Sequence, residues 1–201
     1  MLTVERLCNS VLKPASFHVD GGECVAVQGP SGAGKSVLLR AVADLDPSDG
    51  DVRLDGAPRD GMPAPEWRRR VTYLAAESGW WADRVGDHFA VLDPTAPNKA
   101  VGLIEALGLP GGALDWLVAR LSTGERQRLA LVRALVQEPR VLLLDEPTSA
   151  LDLDATARVE TVLRHEMARG VAVLIVTHSP AQADRLAKRR LHVEAGEVRE
   201  L

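Results

Sequence analysis

Two periods alternate along this chain, and they predict a mixed α/β order. Residues 16–18 and 23–28 carry the short alternation of strands around a turn at Asp20-Gly21-Gly22, and residues 29–34 then break all periodicity. Residues 36–45 are predicted helical, with Val37, Leu38, Ala41, Val42 and Leu45 on one face. Strands follow at 51–54, closed by Asp55-Gly56, and at 71–75. Residues 83–116 change character, with three prolines and short amphipathic pieces such as 99–107, and predict a small helical subdomain inserted into the core. The pattern then predicts a helix at 123–137, a buried strand at 141–144, a helix at 153–169 ended by Gly170, a second buried strand at 171–176, a helix at 181–188, and a hairpin over 190–201 turning at Ala195-Gly196. Buried apolar strands alternating with helices imply a mostly parallel sheet covered on both faces.

Composition narrows the picture. The 201 residues, 46% of them hydrophobic and 26% charged, suit one soluble domain over 1–201 with an insert at about 76–137. A net charge of -4 without a basic stripe argues against a nucleic-acid partner. No apolar run reaches the roughly 18 residues that a bilayer requires, and the first ten residues lack a signal-peptide core. The expected location is therefore the cytosol, with any membrane role exerted through a partner. Cys8 and Cys24 form neither a disulfide framework nor metal-ligand spacing, and Cys24 reads as a small buried hydrophobe.

The break at Gly29-Pro30-Ser31-Gly32-Ala33-Gly34-Lys35-Ser36 fits G-x-x-x-x-G-K-[ST] between a strand and a helix. Glycines let successive backbone N–H groups face one anion, and the following helix offers its positive end. Lys35, one of four lysines in the chain, reaches the β- and γ-phosphates of a bound nucleotide in such a loop, and the Ser36 hydroxyl ligates Mg²⁺. The bland alternative is a glycine-rich turn that matches by accident. A second constellation is the strand 141–144 running into Asp145-Glu146. A buried strand ending in carboxylates presents them at the sheet edge where ligands bind. Asp145 suits Mg²⁺, and Glu146 suits a water aimed at the γ-phosphate. Taken alone, the pair could merely begin a loop, since Pro147 follows.

A third motif, Leu121-Ser122-Thr123-Gly124-Glu125-Arg126-Gln127, resembles the LSGGQ signature of ATP-binding cassette proteins, and Ser149-Ala150-Leu151-Asp152 and His178 resemble that family's D-loop and switch histidine. The resemblance implies a P-loop NTPase core with an antiparallel N-terminal β subdomain and the helical insert. It implies ATP and Mg²⁺, with Lys35, Glu146 and His178 catalytic and Gly29 through Val37 around the phosphates. It also implies a head-to-tail pair, formed by two copies or with a different cassette, in which Ser122 and Gly124 meet the γ-phosphate bound by the partner and Asp152 bridges the two. A separate membrane permease would dock on the helical subdomain, holding the chain at the inner face of the membrane. The pattern around Val71 through His88 is similar to short bacterial cassettes grouped with metal (iron) export. Read singly, Ser122 is a helix cap with Glu125 as capping-box partner, Asp152 an N-cap, and His178 a structural residue.

The chain departs from the family at four places. Ala76 stands where a glutamine is usual, and Glu77 is the candidate substitute. Residues 1–16 lack the aromatic that stacks on adenine, which leaves the Arg6 guanidinium as a candidate. Thr123 replaces a signature glycine, and Val37 replaces a threonine. Trp80 and Trp81 read either as a patch for a permease helix or as packing in the helical subdomain. A second functional reading follows from these departures: a module that dimerises on ATP and hydrolyses it poorly. A third, a cassette acting in DNA repair or translation, fits neither the length nor the charge.

Overall fold

The computed structural model describes residues 1–92 and 95–201; Asp93 and Pro94, inside the predicted helical insert, lie outside the described residues. In chain order the elements are β1 (Leu2–Cys8), β2 (Ala15–Val19), β3 (Cys24–Gln28), α1 (Lys35–Val42), β4 (Asp49–Leu54), β5 (Ala57–Pro58), α2 (Ala64–Arg70), β6 (Val71–Leu74), α3 (Asp87–Ala90), α4 (Ala96–Ala106), α5 (Thr123–Leu135), β7 (Val141–Asp145), α6 (Leu153–Ala168), β8 (Ala172–Val176), α7 (Pro180–Leu186), β9 (Arg189–Glu194) and β10 (Glu197–Glu200). One sheet is antiparallel, in the order β2-β1-β4-β5; the other runs β10-β9-β3-β8-β7-β6. Every neighbouring pair in the second sheet is parallel except the β9–β10 hairpin.

The parallel strands separate two cores, and their alternation decides which side chain serves which. On β7, Leu142 and Leu144 face the core built with Leu129, Val132, Ile104 and Phe89. Val141 and Leu143 face the other, which joins α1 through Leu38, Leu39 and Val42 to the antiparallel sheet through Leu2 and Val4. A strand buried on both faces has no polar alternation, so the unbroken apolar runs at 141–144 and 171–176 are what this position requires.

Besides the two-residue β5, β1 and α2 lie outside the predicted pattern. In β1 the register with β2 and β4 shifts across Glu5 and Arg6, where Arg6 takes a φ of 53°. This bulge moves the buried residues from Leu2 and Val4 to Leu7, so the period of two does not persist. The short α2 is anchored by one residue: Trp67 is fully buried, and its Nε1 donates to Val42 O at 3.0 Å, one of the carbonyls at the end of α1. Cys24 is buried as expected, and burial pushes its thiol up to about 12.

The insert is helical, as predicted. His88 is fully buried at its heart. Its Nε2 accepts from the backbone N–H groups of Trp81 and Ala82 at 2.9 and 3.0 Å, and its Nδ1 lies 3.0 Å from Arg84 O, so both ring nitrogens have backbone partners. Trp80 and Trp81 pack on this ring, with the Arg133 guanidinium over both indoles. Trp80 packs into the subdomain, as the packing reading expects, while Trp81 is 64% exposed.

Candidate nucleotide site

The strand order places the motifs side by side. The phosphate loop follows β3, His178 lies just after β8, and Asp145 and Glu146 come at the end of β7; these three strands are adjacent and parallel, so all the groups emerge at one edge.

Gly29 begins the loop with a φ of 146°, and a Cβ there would lie 2.0 Å from Val193 O on β9. Only glycine lets the backbone turn so close to the neighbouring strand. Lys35, the first residue of α1, is buried, and its Nζ donates to Gly29 O at 2.9 Å and Pro30 O at 2.8 Å. Two of its three protons thus hold the ammonium over the loop, and the third is available to an anion. Ser31 on the loop and Ser36 in the first turn of α1 are exposed, and Val37 beside it is half-buried.

Asp145 is buried at the end of β7, and its Oδ2 accepts from the Tyr73 hydroxyl at 3.0 Å. Burial, reinforced by the charge of Asp145, pushes the Tyr73 hydroxyl well above its usual range, so it remains a donor. Glu146 takes a left-handed φ of 50°, while its N–H bonds to Val176 O at 3.0 Å. The turn swings its carboxylate toward the next strand, where Oε1 meets His178 Nε2 at 2.9 Å. A non-glycine residue held in this region costs of order 1–3 kcal/mol and tends to mark functional sites.

The signature segment begins α5. Ser122 is its N-cap and forms a complete capping box: Glu125 Oε2 accepts from Ser122 N at 2.8 Å and from Ser122 Oγ at 2.9 Å, while Ser122 Oγ accepts from Glu125 N at 3.3 Å. The bond from the Ser122 backbone N–H holds the Glu125 carboxyl below its usual range. Asp152 caps α6 through Ala155 N at 2.7 Å. Both single-residue cap readings therefore hold. Ser122 and Thr123 face solvent, and a Cβ on Gly124 would lie 3.1 Å from Ala150 O in the loop after β7.

One residue that the sequence reading assigned no role ties these parts together. Gln127 is buried; its Nε2 donates to Glu146 O at 2.8 Å and to Ser149 Oγ at 3.3 Å, and its Oε1 accepts from Ala150 N at 3.2 Å. The available signal was a glutamine three and four residues before Ala130 and Leu131, on the apolar side of the 123–137 helix. Ala76, Glu77, Thr123, Gln127, Glu146 and Ala150 line one cleft, so the two departures at 76 and 123 share it with the carboxylate. Arg6, the candidate for stacking on adenine, sits exposed at the β1 bulge with its N–H on Ser16 Oγ.

Comparison with known proteins agrees with this geometry. A family profile described as ABC transporter matches residues 12–149. The chain is 39% identical over 192 residues to the aliphatic sulfonates import ATP-binding protein SsuB 2 of Pseudomonas fluorescens, covering 94% of this chain and 69% of the relative. It is 39% identical over 199 residues to the Fe(3+) ions import ATP-binding protein FbpC of Streptomyces coelicolor, covering 94% of this chain and 56% of that one. A solved structure described as the ATP binding subunit of an ABC transporter superposes with a TM-score of 0.88 at 26% identity, covering 98% of this chain and 88% of that chain. A bacterial Atm1-family ABC exporter with ATP bound shares the fold, with a TM-score of 0.86 at 24% identity over 98% of this chain and 37% of the exporter. The chain belongs to the ABC transporter family, as one of its ATPase cassettes.

Proposed function

We propose that this chain, as a single cassette with its helical insert at about 76–137, energises transport through a separate membrane permease. The observation that carries the reading is the Glu146–His178 pair, set on the strand ends beside the phosphate loop. Among the described residues no helix is long and apolar enough to cross a membrane. The two relatives named above are import subunits for chemically unlike cargoes at equal identity. We therefore favour import over the metal export suggested by the local pattern at 71–88, with the cargo chosen by the other components.

In this reading Lys35 and the backbone N–H groups of Gly29 and of residues 31–37 bind the phosphates. The site fits Mg²⁺: Asp145 is a buried carboxylate with one oxygen committed to Tyr73, and a hard cation supplied with phosphate oxygens needs only one or two protein carboxylates. Asp145 and the Ser36 hydroxyl would hold the ion, which neutralises charge on the phosphates. Glu146 accepts a proton from water as its oxygen attacks the γ-phosphorus and the bond to the bridging oxygen breaks, giving ADP and phosphate. His178 holds the Glu146 carboxylate and reaches the γ-phosphate. Ser122, Thr123 and Gly124 are presented to a second cassette packed head to tail, and Glu77 stands in for the glutamine usual at 76.

The test is Mg²⁺-dependent ATP hydrolysis across protein concentration. Turnover per chain that rises with concentration supports pairing of like chains. Turnover independent of concentration overturns self-pairing, and turnover that appears only with an added permease places control in that partner. Glu77→Ala should raise the Mg²⁺ requirement; an unchanged requirement removes Glu77 from the site.

A further inference from the structure

Tyr73 stands where it can govern the cation that Asp145 would hold, a reading that rests on the metal placement proposed above. It lies on β6, the strand that ends the parallel sheet beside β7, and it pairs in register with Leu143. Side chains alternate along a strand, so Leu143 and Asp145 leave β7 on one face. Leu143 and Tyr73 both pack in the core that holds Leu38, Leu39 and Val42 of α1. Asp145 therefore emerges on the side where α1 begins, the side of Lys35 and Ser36.

The path from Tyr73 to Asp145 is a diagonal, two residues along and one strand across, about 8 Å between backbones by the ordinary spacings of a sheet. The tyrosine spans it with its hydroxyl, which donates to Asp145 Oδ2 at 3.0 Å. Cationic side chains nearby are engaged elsewhere: Arg40 with Asp46 at 2.6 Å, and Lys35 with the carbonyls of Gly29 and Pro30. Among the described residues Asp145 forms no ion pair, although it is only 5% exposed. A buried carboxylate in that position calls for a cation from outside the chain. With Oδ2 held by a neutral donor, it offers the other oxygen singly. Mg²⁺ demands a near-ideal octahedron of oxygens, whereas the larger Ca²⁺ accepts more ligands in looser geometry and takes both oxygens of one carboxylate.

We propose that Tyr73 is a positioning residue for the metal: by occupying Oδ2 it confines Asp145 to single-oxygen ligation and so favours Mg²⁺ over Ca²⁺ beside the bound phosphates.

The test reads binding, not turnover. The full chain is titrated calorimetrically with a non-hydrolysable ATP analogue in a chelator, in Mg²⁺ and in Ca²⁺. Mg²⁺ should tighten the analogue more than Ca²⁺ does. Tyr73→Phe keeps the ring and removes the hydroxyl. It should cut the gain from Mg²⁺ by about tenfold or more, the range for a lost partner of a metal ligand, and leave the gain from Ca²⁺ equal or larger. Affinity in the chelator should stay the same, because the phosphate loop is untouched. A Tyr73→Phe chain that keeps the wild-type preference for Mg²⁺ overturns the proposal, as does an equal loss under all three conditions.

Tyr73 is the single tyrosine of the chain, which gives a second readout on the wild-type sequence. With the ring carbon that bears the hydroxyl isotopically labelled, the chain should show one NMR signal. That signal should move when Mg²⁺ joins the bound analogue, because a cation on Asp145 draws charge from the oxygen that accepts the Tyr73 proton. A signal indifferent to Mg²⁺ overturns the positioning role whether or not the variant folds. Asp145→Ala separates this role from the metal placement itself. If the gain from Mg²⁺ survives in Asp145→Ala, the carboxylate does not hold the ion and the placement falls. A gain lost in Asp145→Ala and kept in Tyr73→Phe removes Tyr73 alone.

Discussion

Glu146 Oε1 lies 2.9 Å from His178 Nε2 across the ends of two neighbouring strands. The contact is built into the fold: Asp145 pairs with Val176 in the parallel register, and the left-handed turn at Glu146 points its carboxylate across to the residue after Thr177. Glu146→Gln keeps the size and a hydrogen bond to the ring, yet cannot take a proton from water. Its turnover should fall by about 100-fold or more, the typical reach of a positioned base, while ATP binding survives. Phosphate release and nucleotide titration on the same sample check this, and wild-type turnover would remove Glu146 from the chemistry.

Gln127 makes the second relationship, between the signature helix and the backbone around Glu146. Its amide serves a carbonyl on one side and an N–H on the other. Gln127→Ala leaves both without their side-chain partner and should cost about 1–3 kcal/mol of stability. Gln127→Glu keeps the acceptor for Ala150 but sets a carboxylate oxygen against Glu146 O. We expect kcat to fall more than ATP affinity in both variants, because the carboxylate loses its support while the phosphate loop is untouched. A KM that rises as steeply as kcat falls would mean that Gln127 serves binding instead.

These two residues show what the sequence makes visible. The place of Glu146 at the end of a buried strand was legible from an unbroken apolar run ending in two carboxylates, and the phosphate-loop motif elsewhere in the chain is what set the functional reading above that of a simple loop start. The parallel sheet was legible from the same continuous runs, and the phosphate loop from glycines placed before a lysine. Gln127 was not, because its partners are backbone groups in a loop more than eighteen residues away, which no spacing encodes. β1 escaped because its bulge at Arg6 breaks the alternation, and α2 because a seven-residue helix held by one tryptophan has too short a period to register.

Glu160 on α6 is almost fully buried and receives Arg185 of α7 through two bonds, at 2.6 and 2.9 Å, with Arg164 at 3.2 Å and Gln182 at 3.4 Å. The bonds from Arg185 hold its carboxyl below the usual range. A folded-state pKa below the unfolded value means that the stabilisation is complete above the ordinary value of about 4.3 and is lost as pH falls through the lower folded one. Glu160→Gln should therefore be clearly less stable than wild type in urea at neutral pH, by about 1.5–3 kcal/mol for a bond to a charged group. The gap should close on acidification below about pH 4. A gap constant across that range would show that shape, not charge, is what Glu160 supplies.

Gly29 and Gly32 separate two demands that the phosphate loop makes on its glycines. At Gly32 the φ is 75°, and a Cβ would meet nothing within 4 Å. Gly32→Ala therefore bears only the backbone penalty, about 1–2 kcal/mol, and should weaken tripolyphosphate binding modestly while the chain stays folded. At Gly29 the added atom would lie 2.0 Å from Val193 O, and β9 cannot yield because Val27 and Gln28 pair with Leu191 and His192 on the same strand. The loop must instead lift away from the sheet, carrying with it the carbonyl on which Lys35 rests. Gly29→Ala should accordingly lose measurable tripolyphosphate binding and show a lower melting temperature than Gly32→Ala. Equal melting temperatures and equal affinities for the two variants would mean that the loop can move off β9 without losing its hold on phosphate.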